Sequence, residues 1–252
     1  MNTTEELRCE LDHTDRRTLA LIESLTDAQL DVPYHRGINP PIWELGHSAF
    51  FYEYFLLRKL GHAEPRMPGY DEIWDSFEIQ HRNRWQDDVI PSKETTFDYY
   101  HRVLDETRKR LQVEELDPQE HYLCQYCIVH QNMHIESLIW ARQTLGYPAP
   151  PSMISGAQHH AGPDPGGDAQ VPGGTYAIGM PANSPEFATR MFSFDNERPG
   201  FETGVEPFAI SKTLVSNREF LAFVKDGGYQ SPEVWSYGGR WWLQEEGPAH
   251  PL

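Results

Sequence analysis

The sequence has little of what would assign it to a membrane-spanning, secreted or nucleic-acid-binding class. Its 252 residues include 3 cysteines, which are too few for a disulfide framework. No stretch approaches the ~18 uncharged apolar residues that cross a bilayer, and the charged N-terminus lacks the apolar core of a signal peptide. Basic side chains number 21 against 38 acidic ones, so the formal net charge is -17. We therefore predict a cytoplasmic protein that binds neither membranes nor nucleic acid.

Up to residue 146 the sequence carries the 3.6-residue apolar period of amphipathic helices in four separate stretches. The fourth stretch has the clearest ends, with Asp117 as N-cap, Pro118 at the first helical position and Glu120 placed to close a capping box. Gly146 supplies its C-terminal stop. We predict a four-helix bundle over residues 1–146, in which the long aromatic connection between the second and third helices folds over one end.

The composition changes after the fourth helix. Residues 147–171 are rich in Pro, Gly and Ala and have no period, which predicts an interdomain linker. In residues 172–252 short apolar runs are separated by Gly and Pro turns, with one helix expected from Ser216 to Lys225. This region is typical of the beginning of an irregular α+β domain. Because so few elements would struggle to bury a core, we expect the chain to be truncated at its C-terminus.

Three histidines fall on apolar helix stripes. His130 and His134 are four residues apart, so their rings leave the fourth helix on one face, and His47 lies on the stripe of the second helix. Neutral imidazoles in a bundle core are good ligands for Fe, Zn, Cu or Ni. The alternative is three core histidines, each of which would need its own hydrogen-bond partners. A metal with three neutral ligands would keep open positions, as catalytic sites do.

Two other features near these histidines are open to more than one interpretation. Glu136 lies ~160° around the helix from His134, so it is either a hydrogen-bond partner that supports the site or an ordinary solvated side chain. Cys124 and Cys127 form a CxxC inside the helical pattern, where we favour plain packing over redox chemistry.

Two sets of motifs resemble one known family. The H-x3-H-x-E run from His130 to Glu136, with the upstream run from Trp43 to His47, resembles the DinB-like bundle of ergothioneine-type sulfoxide synthases. The later segment, with GGTY at 173–176 and FDNERP at 194–199, resembles the start of the domain that these enzymes share with formylglycine-generating enzymes. The resemblance implies a fold of class α plus α+β, a DinB-like four-helix bundle followed by the beginning of a C-type-lectin-like domain.

The resemblance also implies an activity. In this family Fe(II) is held by three histidines, here His47, His130 and His134, and O2 is used to join a thiol sulfur to the imidazole of hercynine, giving a sulfoxide. Arg82 and Arg84 are the nearest candidates for binding the carboxylates of the thiol donor. The family's catalytic tyrosine and much of its hercynine pocket are expected beyond residue 252, so the catalytic residues are not identified in this chain.

The identity of the donor and the class of enzyme have alternatives. Met133 stands where ergothioneine-type members often carry a Gln that contacts hercynine, and its sequence context is similar to the selenoneine synthase branch, in which a selenosugar replaces the thiol. A DinB-like thiol transferase that uses zinc or nickel is a second enzyme class. A metal-binding fragment without activity is the third interpretation.

Overall fold

The computed structural model describes residues 3–112, 116–150, 166–181 and 192–251. The chain divides into two compact units, the first made of Met1–Gly156 with Gly179–Gly200 and the second of Ala157–Ile178 with Phe201–Leu252. Within the described ranges no helix combines the length and the apolar character that crossing a bilayer requires.

The first unit is helical. Its helices are α1 Thr4–Glu23, α2 Asp27–Leu30, α3 Pro41–Tyr52, α4 Asp71–Trp74, α5 Lys93–Arg110 and α6 Pro118–Thr144. Helix α3 continues as a π-helical segment, Glu53–Arg58, and a 3-10 segment, His81–Trp85, precedes α5. The four long helices α1, α3, α5 and α6 correspond to the four amphipathic stretches of the sequence.

Side-chain caps explain where these helices begin. Thr3 and Glu6 form a capping box at α1, in which each side chain bonds the backbone N–H of the other residue. Asp117 and Glu120 form the capping box predicted for α6. Gly146 follows the end of α6 with a φ of 68°, a left-handed conformation that glycine adopts without strain.

The core of the first unit lies where α3 packs on α5 and α6, and where α1 packs on α6. Its large side chains are almost completely removed from water, and each contributes roughly 1.5–3 kcal/mol through the hydrophobic effect. The largest of them are Trp43, Trp74, Tyr52, Tyr99, Tyr100, Leu7, Leu11, Leu21, Ile22, Leu45, Leu104 and Ile135.

One polar side chain at the centre of this core links all four long helices. Gln131 of α6 is fully buried and accepts a hydrogen bond of 2.7 Å from the hydroxyl of Tyr52 on α3. Its amide nitrogen lies 2.7 Å from the hydroxyl of Tyr100 on α5 and 3.0 Å from Oγ1 of Thr18 on α1. Because these bonds fix the rotation of α6 about its axis, they also fix which face the adjacent His130 presents.

The connection between α3 and α5 packs on the bundle through buried groups, as the sequence suggested. Trp74 of α4 is buried, and its ring is stacked on that of Tyr99 at 6.2 Å. Glu53, at the start of the π-helical segment, is also buried and accepts hydrogen bonds from the backbone N–H of Arg66 and from the hydroxyl of Tyr99. This carboxylate ties the connection to both α3 and α5.

The described residues 179–181 and 192–200 group with the first unit, within the range 172–252 that the sequence predicts as one domain. The hydroxyl of Tyr122 on α6 donates to the carbonyl oxygen of Ser193, at 3.1 Å. The guanidinium of Arg198 lies 5.0 Å from the centre of the Tyr122 ring. These contacts join residues more than 70 positions apart in sequence, which local sequence patterns do not report.

In the part of the second unit that the structure describes, there are two antiparallel strand pairs and two α-helices. Strand β1 (Asp168–Val171) pairs with β4 (Phe208–Ser211), and β2 (Gly174–Ile178) pairs with β3 (Phe201–Val205). Helices α7 (Asn217–Lys225) and α8 (Tyr237–Glu246) follow, and α7 begins at the capping box of Ser216 and Glu219.

Strand β1 occupies the last four residues of the segment 147–171 that the sequence suggested as a linker. The strand has four residues, two of them polar, and its partner β4 is some 40 residues away, so no local period marks it. Residues 151–165 of that segment lie outside the described residues.

Candidate metal centre

The structure brings the three predicted histidines together. His47 projects from α3, and His130 and His134 project from successive turns of α6. One ring nitrogen from each histidine lies within 4.8 Å of the corresponding nitrogens of the other two. The ring centres are 5.0 Å apart for His47 and His130, 4.7 Å for His47 and His134, and 4.4 Å for His130 and His134.

The orientation of His47 is set by the connection that covers the bundle. Its Nδ1 lies 2.5 Å from the backbone carbonyl oxygen of Trp74, which can only accept, so Nδ1 carries the proton. The ring is stacked on Trp43 at 4.7 Å with an interplanar angle of 11°. Trp74 reaches this position because residue 46 is glycine, and a Cβ there would overlap the Trp74 ring. The Nε2 of His47 is therefore left with its lone pair for a metal.

The orientation of His134 is set by a buried carboxylate. Its Nδ1 donates to Oε2 of Glu44, one turn before His47 on α3. Glu44 is 1% exposed, and its other oxygen accepts hydrogen bonds from Ser137 Oγ at 2.7 Å and Asn39 Nδ2 at 2.9 Å. Because the carboxylate can only accept, His134 also carries its proton on Nδ1 and offers the lone pair of Nε2.

His130 completes the group. Its ring is stacked on Phe51 at 3.4 Å with an interplanar angle of 9°, and its Nε2 lies 3.0 Å from Nε2 of His134. Two nitrogens that bind one ion at about 2.1 Å and at a right angle are themselves about 3.0 Å apart. The Nδ1 of His130 is buried without a hydrogen-bond partner among the described residues. The donor set therefore fits a divalent transition metal.

The electrostatic environment keeps these rings in the form that binds metals. Burial and the neighbouring His134 lower the pKa of His47 to about 4, and burial with both other histidines also lowers the pKa of His130. Burial raises the pKa of Glu44, but the electrostatic interaction with His134 and hydrogen bonds from His134, Ser137 and Asn39 bring that pKa below its ordinary value. At neutral pH His47 and His130 are neutral beside an ionised carboxylate.

Comparison with known proteins shows the family. The DinB superfamily matches residues 10–138 of the chain, which is the region that carries all three histidines. The chain belongs to the DinB superfamily. A sulfatase-modifying factor enzyme 1-like domain matches residues 158–251. The two matches confirm the predicted fold class, in which a helical DinB-like region is followed by a smaller, sheet-containing domain.

Three curated relatives are similar to this DinB superfamily member along essentially its whole length. They are hercynine oxygenases from Mycolicibacterium smegmatis (30% identity), Mycobacterium tuberculosis (28%) and Mycolicibacterium thermoresistibile (27%), with 100%, 100% and 98% of the chain covered. These matches confirm the resemblance to ergothioneine-type sulfoxide synthases. The chain spans about half the length of these relatives, namely 57%, 58% and 54%.

The other side chains singled out from the sequence lie at different distances from the histidines. Glu136 and Met133 are exposed on the outer side of α6, so the supporting carboxylate at the histidines is Glu44 rather than Glu136. Arg82 is exposed, with its guanidinium 5.1 Å from the centre of the Tyr34 ring. The structure does not place these three side chains among the contacts of the histidines that it describes.

Arg84, in contrast, lies beside the candidate centre. Its guanidinium is 3.9 Å from the centre of the Trp43 ring, and Trp43 is stacked on His47. Burial lowers the pKa of Arg84. The residue also lines one side of a surface cleft of about 400 Å³, together with Trp85 and Lys93. Arg82 and Arg84 thus have different surroundings, although they are only two residues apart in the sequence.

Sequence reasoning missed two supporting groups. Glu44 could have been found, because an acidic residue three positions before His47 on an apolar stripe is a signal of a buried partner. The carbonyl oxygen of Trp74 could not have been found from the sequence, because every residue has a carbonyl group. The position of this one depends on the path of the connection between α3 and α5.

The CxxC pair is buried, and both thiols are free. Burial raises the pKa of Cys124 to about 12, and the pKa of Cys127 is raised by burial and by Cys124. Because thiolates are the reactive and metal-binding form, this environment favours the packing interpretation.

Proposed function

We propose that this DinB superfamily member binds Fe(II) through His47, His130 and His134 and acts on hercynine in ergothioneine-type biosynthesis. The observation that carries the proposal is the convergence of three imidazole nitrogens in a bundle interior, two of them already oriented by hydrogen bonds at Nδ1. The names of the three relatives supply the substrate. Their greater length means that the activity of the whole enzyme is part of the proposal.

The chain's own residues would serve to hold and enclose the metal. Three neutral ligands leave positions for other molecules, and bound Fe(II) supplies the ability to react with O2. The rings of Trp43 and Phe51 cover His47 and His130 and keep water from those sides of the site. The described contacts that orient the three histidines all come from the first unit.

The proposed overall reaction balances with O2 as the oxidant. The imidazole C–H bond of hercynine and the S–H bond of a thiol are broken, and a C–S bond forms between them. One oxygen atom is transferred to sulfur, giving the sulfoxide, and the other leaves as water with the two hydrogens. His47, His130 and His134 of the first unit would hold the metal, which would supply the reactivity toward O2.

The donor is proposed to be a thiol or, as in the selenoneine synthase branch, a selenosugar. Arg82 is exposed and is the better placed of the two arginines to meet a carboxylate from solvent. Met133 is 52% exposed, so a contact with hercynine would form on the outer side of α6. A cytoplasmic location stays a prediction from the sequence.

The test is product formation by protein loaded anaerobically with Fe(II). Hercynine and O2 are supplied with cysteine in one series and with a selenosugar in another, and O2 uptake and product mass are measured. We expect uptake that depends on hercynine and a product that contains both hercynine and donor atoms, with neither seen for His130→Ala. Metal binding without any hercynine-dependent uptake would contradict the proposal and favour the inactive metal-binding fragment or a thiol transferase.

A further inference from the structure

A continuous chain of hydrogen bonds leads from the loop before α5 to the candidate metal ligand His134. The Nη1 of Arg84 donates to Oδ1 of Asn39 at 2.7 Å. The Nδ2 of Asn39 donates to Oε1 of Glu44 at 2.9 Å, and Oε2 of Glu44 accepts from Nδ1 of His134. Every member has a donor or acceptor of the correct kind for its neighbour, since Asn39 offers its oxygen on one side and its nitrogen on the other.

The same guanidinium reaches a second histidine by ring stacking. Arg84 lies over one face of Trp43 at 3.9 Å, and Trp43 is stacked on His47 at 4.7 Å. The Nη2 of Arg84 donates to the backbone carbonyl of Ser76 at 3.3 Å, which anchors the side chain to the connection that follows α4. One cation therefore contacts residues that lead to two of the three histidines.

Charge compensation gives this arrangement a physical purpose. Glu44 is 1% exposed, and a carboxylate removed from water is costly unless it is hydrogen-bonded and opposed by positive charge. Among the described residues, its partners besides His134 are neutral, namely Ser137 and Asn39. A metal ion on His134 would supply positive charge on one side, and Arg84 supplies it on the other through Asn39.

We propose that Glu44 is the positioning residue of the metal centre, holding His134 with its Nε2 lone pair toward the metal, and that Arg84 supports Glu44 through Asn39. This inference rests on the metal site of the proposed function. It assigns Arg84 a role in metal binding rather than in binding a donor carboxylate, because two of its donors already bond Asn39 and Ser76. Hydrogen-bond partners of metal ligands orient those ligands and raise their basicity.

The experiment is Co(II) titration of the whole chain, followed by visible absorption, for the wild type and three variants. Glu44→Gln keeps an acceptor for His134 but removes the charge, Arg84→Gln removes the cation, and Arg82→Gln is the matched control two residues away. Circular dichroism verifies that each variant is folded. Should Glu44→Gln fail to fold, Asn39→Ala interrupts the same chain without altering Glu44 itself.

We expect Glu44→Gln to raise the dissociation constant for Co(II) by about 10- to 100-fold and to shift the ligand-field bands, since these report the ligand directly. Arg84→Gln should weaken binding less than Glu44→Gln, and Arg82→Gln should match the wild type. A Glu44→Gln protein with wild-type affinity and bands would overturn the inference. If Arg84→Gln and Arg82→Gln bound Co(II) with the same dissociation constant, the proposed role of Arg84 would be overturned. Failure of the wild type to bind Co(II) would instead contradict the proposed metal site.

Discussion

The two units of the chain differ in where their large apolar side chains lie. In the first unit Trp43, Trp74 and Tyr99 are at most 1% exposed. Among the described residues of the second unit, Tyr229 is the one large apolar side chain that is buried, while Leu214 and Trp241 are 93% and 60% exposed. The described contacts of the candidate metal centre therefore come from the densely packed unit, where neighbouring side chains can hold the three histidines in position.

The largest expected effect concerns Gln131, the buried polar side chain at the centre of the densely packed first unit. We expect Gln131→Ala to lower the free energy of unfolding by about 3–5 kcal/mol, because it leaves a cavity, removes the acceptor of the buried Tyr52 hydroxyl and takes one hydrogen-bond donor from the hydroxyls of Tyr100 and Thr18. Urea unfolding followed by helical circular dichroism measures the change. Gln143→Ala, at an exposed position of the same helix, is the control and should change little. Similar losses in both variants would contradict the account.

The next largest effect concerns pH. The pKa of His47 in the folded, metal-free protein is about 4, whereas an unfolded histidine has a pKa of about 6.5. The unfolded chain therefore binds the proton first, so stability is complete above about pH 6.5 and falls as the pH drops through about 4, by up to about 3 kcal/mol.

Urea unfolding at several pH values measures this loss in the metal-free protein. His47→Gln should unfold with a smaller dependence on pH in this range than the wild type. His13→Gln, which alters an exposed histidine, should keep the wild-type dependence. If His47→Gln and the wild type shared the same pH dependence, the buried neutral state of His47 would be wrong.

The smallest effect compares the same substitution in the two units. Gly46→Ala places a Cβ against the Trp74 ring and should destabilise the protein by about 1–3 kcal/mol through overpacking. Gly238→Ala, within helix α8, meets open space and should stabilise that helix by up to about 1 kcal/mol. Thermal unfolding distinguishes the two, and a tolerated Gly46→Ala would show that the Trp74 position is not constrained.

Much of the helical part of the fold was predictable because it depends on local sequence patterns, namely helix caps and apolar periodicity. The caps at Asp117 and Ser216 and the apolar stripes gave the helices, and the stripes placed His47, His130 and His134 in one interior. The burial of Gln131 was not predictable, since it depends on hydroxyl groups from three other helices. A local pattern expects an isolated polar residue at that position to face solvent.

The three candidate metal ligands could be predicted from the sequence, but the groups that hydrogen-bond to them could not. Periodicity identifies which residues share a helix face, so it finds a histidine pair such as His130 and His134. It does not report which carboxylate or carbonyl completes the hydrogen bonds, and so Glu136 was considered where Glu44 is found. The path of the connection places both Trp74 and Arg84, and no local period encodes that path.

The most direct measurement is anaerobic titration of the purified chain with Fe(II), alongside His130→Ala and His134→Ala. The account predicts one tightly bound Fe(II) per chain in the wild type and loss of that binding in both variants, with helical content retained. A folded wild-type chain that binds no Fe(II), or variants that bind it as tightly as the wild type, would contradict the account and leave the three histidines as core residues.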